Sequence, residues 1–205
     1  MLEWPKPNEK LFQSGDDWQL NACINCYWPS IEAHARAYRQ GAEALANATA
    51  EGSATLDCAI LPITFLYRQY LELVIKEIIN TGRQLEGQGS GYPTHHNLKD
   101  LWSEALGLLR KQYGRNKPPE LTYVQPIIDE FVHHDEKSMA FRYPTDKDGQ
   151  RHLQDIEHIN LRNLYETMER VGNLLDCLAS DLTHRWNVTC EMMAGLPDRH
   201  GSPVL

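Results

Sequence analysis

Acid–histidine spacing is the first chemical signal in this sequence. Glu130 and His133 stand three apart in "IIDEFVHHDEK", and Asp155 and His158 repeat the spacing in "DIEH". On a helix such residues share a face, and in a four-helix bundle two inward-facing pairs can hold two metal ions. That site also wants a glutamate from each of two other helices. Glu72 could supply one, and no convincing second is present. The plain alternative is that "HHDEK" is a polar helix face. Arg68, Glu72 and Lys76 sit four apart within "YRQYLELVIKEI". They make either a solvated stripe with small ion-pair gains or a buried network that positions other side chains. His95 and His96 precede a helix start at which Asn97 is a good cap, and read as loop residues. "CINC" places Cys23 and Cys26 in a lone C-x-x-C, without the second ligand pair that zinc wants.

The stretch "AFRYPTDKDGQRH", residues 140–152, carries the remaining reactive side chains. Pro144 disfavours helix at Tyr143, so "FRYP" ends one helix and "TDKDG" turns the chain. A connector needs only the turn. Arg142, Tyr143, Arg151 and His152, with His158 beyond them, would gather near one end of a bundle. Otherwise Tyr143 covers the end of the core while Arg142 pairs with Glu72 or Asp135.

The elements that must position these residues are helical. The 205 residues are 41% apolar, which suits one globular domain, and no alternating strand pattern, repeat or phosphate-binding glycine loop is visible. Residues 1–27 read as an irregular arm, with Trp4, Trp18 and Trp28 as anchors. A bundle domain is expected over 28–186 and a tail over 187–205. Helices are expected from about Pro29 to Ala50, from about Pro62 to Gly82, over "HNLKDLWSEALGLLRKQYG" and over "LTYVQPIIDEFVHHDEKSMAF". A long one is expected from about Asp155 to Arg185. That last helix carries a heptad seam of Leu161, Leu164, Met168, Val171, Leu175, Leu178 and Leu182. The fold class is therefore all-α: an up-and-down bundle of four to five helices with a long C-terminal helix.

A net charge of −8 argues against an extended basic groove for duplex DNA, though not against a small local RNA site. No run approaches the roughly 18 unbroken apolar residues of a membrane span, and the N-terminus lacks a signal-peptide layout. Five cysteines at scattered positions are no disulfide framework. A cytosolic protein with no membrane partner is expected.

Taken in order, "FLYRQYLELVIKEII", "HHNLKDLW" and "FRYPTDKDG" leading into "DIEHINLRNLYETMERV" resemble the HEPN domain superfamily, over roughly residues 57–182. The resemblance implies a helical bundle in toxins, RNA-processing enzymes and defence systems. In its nucleases an Arg, a polar residue and a His four to six residues on cut RNA without metal, usually across a dimer. The His handles the proton of the attacking 2′-hydroxyl, and the Arg holds the phosphate. Arg162–Asn163 is the best-placed Arg-polar pair, but Thr167, Met168 and Glu169 stand where its His would be. Arg151–His152 with His158 also fits the spacing, and the two catalytic side chains share a face if residues 151–158 are helical.

The resemblance thus implies a metal-independent endoribonuclease of toxin or defence type, or a degenerate relative that binds RNA or nucleotide. Arg151 and His158 are the catalytic candidates. Arg142, Tyr143, His152, Arg162, Asn163, Arg68 and Glu72 are the binding candidates. No cofactor or metal is expected, and a homodimer through the seam is. The alternatives are a catalytically silent interaction module that regulates a protein partner and, third, a bundle metalloprotein.

Overall fold

A computed structural model describes residues 4–24 and 30–194 of the chain. The chain divides into two units, residues 1–30 and 31–205. Among the described residues the first contains one 3-10 turn, at Trp18–Leu20. The Asn21 side-chain amide closes a loop there, with Asn21 Oδ1 accepting from the Gly15 N–H and Asn21 Nδ2 donating to the Gly15 carbonyl, both at 2.8 Å. Trp4 and Trp18, expected as anchors, are exposed. Trp28 and Cys26 lie outside the described residues.

The second unit is an all-α bundle. Its helices are α1 (Ile31–Ala50), α2 (Leu56–Leu85), α3 (Leu98–Tyr113), α4 (Leu121–Asp135) and α5 (Leu161–Ala194). Among the described residues there is no strand. Thr145 and Arg151 form one isolated antiparallel bridge.

α2 is the core helix. Ile63, Tyr67, Leu71, Val74, Ile75, Ile78 and Ile79 are buried on several of its faces, because α1, α3 and α5 all pack against it. By length and composition α2 could cross a membrane, but 56% of its apolar window is buried inside this fold. α1 meets it through Ala35, Ala42 and Ala46, small enough to let the helices approach closely. α5 supplies Met168, Val171, Leu175, Leu178 and Leu182. Five of the seven seam residues are therefore buried in the chain's own core, and Leu161 and Leu164 are partly buried against it.

The boundaries differ from the sequence expectation at identifiable residues. α2 starts at Leu56, ahead of Pro62, because the Thr55 carbonyl already accepts the N–H groups of Cys58 and Ala59. Gly82 does not end α2. It is buried in the helix, where a Cβ would sit 3.0 Å from Leu108 Cβ, so the glycine marks the close approach of α3. α5 starts at Leu161 rather than near Asp155. Asn160 caps it: Asn160 Oδ1 accepts the Asn163 N–H at 2.9 Å and the Asn160 carbonyl accepts the Leu164 N–H at 3.0 Å. The same helix continues past Arg185 to Ala194, through residues expected to be tail.

One buried acid in this core titrates unusually. Glu77 is 7% exposed. Burial, then the Glu32 and Asp176 carboxylates, push its carboxyl up to about 7, while Arg36 pulls the other way. Between pH 4.5, its ordinary value, and 7, the folded state holds this proton and the unfolded chain does not. The group therefore costs stability as pH rises through that window. Glu77→Gln should recover up to ~3 kcal/mol at pH 8 and little near pH 5. Urea melts at the two pH values check this, and an equal effect at both would contradict it.

Candidate functional site

Two neighbouring constellations form at the end of the bundle where α4 runs into the 136–160 segment. The first is ionic. Arg68 is fully buried on α2, with Glu72 and Lys76 a turn and two turns further on. Glu72 accepts from Arg68 Nη1 and from Lys76 Nζ, each at 2.9 Å. His96, just ahead of α3, brings Nδ1 to 2.7 Å from Glu72 Oε1, and its carbonyl accepts from Arg68 Nη2 at 2.7 Å. Burial alone would push the Glu72 carboxyl up, but the bonds from Lys76, His96 and Arg68 outweigh it and hold the group below its ordinary range.

Asp135, the last residue of α4, is the second buried carboxylate, with Oδ2 3.9 Å from Arg68 Nε. Its Oδ1 accepts the N–H groups of Met139 and Ala140, at 2.5 and 2.8 Å, and so folds the chain back after the helix. The stripe of Arg68, Glu72 and Lys76 is therefore a buried network. It joins α2, the start of α3 and the end of α4.

The "FRYP" segment follows from that turn. Phe141 is buried, edge-on to Phe131 at 6.4 Å between ring centres. Phe141, rather than the half-exposed Tyr143, covers this end of the core. Arg142 pairs with neither Glu72 nor Asp135. Its Nε donates to the Ser138 carbonyl at 2.8 Å, and its guanidinium lies over the Phe65 and Tyr143 rings at 5.4 and 5.6 Å. Asp146 holds the next turn, accepting the N–H groups of Asp148 and Gln150 at 2.9 and 2.8 Å. Its carboxyl is held low, chiefly by the Gln150 N–H.

The second constellation is a cavity of about 870 Å³. Thr64 of α2 and Ile127, Glu130, Phe131 and His134 of α4 form one side, and Phe141 another. Asp155, Glu157, His158 and Asn160, with Asn163 and Thr167 of α5, complete the polar lining. At its edge His133 Nε2 lies 3.2 Å from Asp155 Oδ2, and His134 Nδ1 lies 3.4 Å from the same oxygen. The Asp155 carboxyl is held below its ordinary range, first by its own backbone N–H and further by His134 and His133. His134 Nδ1 is buried, and its approach to Asp155 does not have hydrogen-bonding geometry.

The candidate residues thus divide into groups. His158 and Asn163 line the cavity. Arg68 and Glu72 belong to the ionic network beside it. Arg151 is exposed in the turn, bridged to Thr145, with His152 half-buried next to it and donating its N–H to the Pro144 carbonyl. Arg162 is exposed on the first turn of α5. Residues 151–158 are not helical, so no shared helix face aligns Arg151 with His158. Nor do Glu130/His133 and Asp155/His158 form two inward helical pairs, since the second pair is off the helix. His133 meets Asp155 instead, and His134, which no spacing argument singled out, joins them. The available clue was that His134 stands one turn after the core residue Phe131.

Replacing Glu72 by Gln removes the carboxylate that both Arg68 and Lys76 share and leaves two buried cations undercompensated. The expected cost is about 3–5 kcal/mol of unfolding free energy. Chemical denaturation reads it, and part should return when Lys76→Met is added. A loss below about 1 kcal/mol, the ordinary value of an exposed pair, would mean that these charges are not buried together. Compared with protein-family models, with curated proteins and with solved structures, the chain finds no match in any of the three.

Proposed function

We propose that this chain is a HEPN-like domain that binds a nucleotide or a short single-stranded RNA segment at the cavity beside the start of α5. Binding, rather than cleavage by an Arg151–His158 pair, is the reading the geometry favours. The cavity itself carries the proposal. Its volume of about 870 Å³ falls in the range of small-ligand sites. Phe131, Phe141 and the imidazoles of His134 and His158 offer ring surfaces for a base, and Asn160 and Asn163 offer paired donors and acceptors for its edge.

Glu130, Asp155 and Glu157 suit sugar hydroxyls or exocyclic amines, not phosphate. The phosphates would therefore lie outside, toward solvent, where Arg151 and Arg162 are exposed. A chain of net charge −8 fits a small site of this kind better than a long nucleic-acid track. Cleavage has weaker support. It needs an Arg and a His held together on the reacting phosphate, and Arg151 is carried by the 144–152 turn while His158 belongs to the cavity wall.

The test is equilibrium binding of labelled short RNAs and of free nucleotides to the full chain, in the presence of chelator. Saturable binding is expected, weakened roughly tenfold in His158→Ala and in Asn163→Ala, the loss of about one good hydrogen bond each. Absence of binding, or affinity unchanged in both variants, rules the reading out. RNA cleavage that survives chelator and is lost in both Arg151→Ala and His158→Ala would establish the nuclease instead.

A further inference from the structure

We propose that His133, His134 and Asp155 form a mononuclear site for a divalent transition-metal ion, zinc by preference, at the edge of the cavity. Three donor atoms converge from two separate parts of the chain: His133 Nε2, His134 Nδ1 and an Asp155 carboxylate oxygen all lie within 4.8 Å of one another. Two of the edges, 3.2 and 3.4 Å, match the spacing of about 3.3 Å between ligands that bind a tetrahedral ion at 2.0–2.1 Å. The third, between the two histidine nitrogens, lies within 4.8 Å, and the His133 side chain is 70% exposed. Two imidazoles and one carboxylate suit zinc and its neighbours in the first transition row and suit calcium or magnesium poorly.

Two further observations point to a cation. The cavity wall carries Glu130, Asp155 and Glu157 and no lysine or arginine, so its potential favours positive charge. And His134 Nδ1 is buried without a hydrogen bond, although it faces a carboxylate oxygen. A simple histidine–aspartate pairing leaves that nitrogen unsatisfied, whereas a metal ion would take it as a ligand.

His134 and Asp155 also line the cavity, so the fourth coordination position would face its interior. There it would hold water or a neutral oxygen or nitrogen donor of whatever the cavity binds. The site does not depend on a nucleotide being that occupant.

The experiment is titration of Zn²⁺ and Co²⁺ into the dialysed full chain. Calorimetry gives stoichiometry, and visible absorption of the cobalt form reports coordination. One ion per chain is expected, with the intense bands of tetrahedral Co²⁺. Affinity should fall at least tenfold in His133→Ala and again in Asp155→Asn, both exposed enough to leave the fold intact by circular dichroism. Cys23→Ser should bind as the parent does. Absence of saturable binding, unchanged affinity in either His133→Ala or Asp155→Asn, or loss in Cys23→Ser overturns the assignment. Because RNA and nucleotide binding are measured with chelator present, failure of either proposal is read independently of the other.

Discussion

The whole end of the bundle depends on cancelling the charge of one guanidinium. Arg68 is at the centre of the core helix and fully buried, a placement that costs several kcal/mol unless counter-charges arrive with it. Glu72 comes from the same helix, but the rest is brought from far along the chain. The His96 carbonyl comes from the loop before α3 and the Asp135 carboxylate from the end of α4. Docking of α3 and α4 is thus tied to the desolvation of α2. Asp135 adds a second duty. By accepting the Met139 and Ala140 N–H groups it sets the direction in which the chain leaves α4, and so places Phe141 under the cavity.

Fold class was legible because it rests on local signals. Asn97 caps α3 through the Lys99 and Asp100 N–H groups, as a good cap residue should, and the seam of α5 marks its buried face. The signals that misled were those with two physical meanings. Gly82 serves as easily for close packing as for a helix stop. "DIEHIN" has the composition of a helix start, and only the Asn160 cap decides that the helix begins after it. Pro62 and Pro126 both lie inside helices, in their second turns, where each forgoes one backbone bond to the residue four before it.

The site was less legible than the fold. The Arg68, Glu72 and Lys76 stripe could be seen, but not whether it faced water. His133 and Asp155 were each noticed in the wrong pair, since spacing along a helix says nothing about contacts made across a loop. Their meeting depends on the path of residues 136–160, which is fixed by Asp135, by the Asp146 turn and by Leu153, whose φ of 54° is rare for a bulky side chain. None of these is a periodic feature.

Gly82 and Leu108 set the spacing of α2 and α3. The glycine gives up helical stability in the last turn of α2, and in return the two helices approach until Leu108 fills the space a methyl would take. A methyl at position 82 would meet Leu108 Cβ at 3.0 Å and Cδ1 at 3.2 Å, so α3 would have to give by a few tenths of an ångström to admit it. An alanine or serine at position 82 therefore calls for a slightly wider spacing of α2 and α3 whatever side chain stands at 108, because the nearest atom is a Cβ.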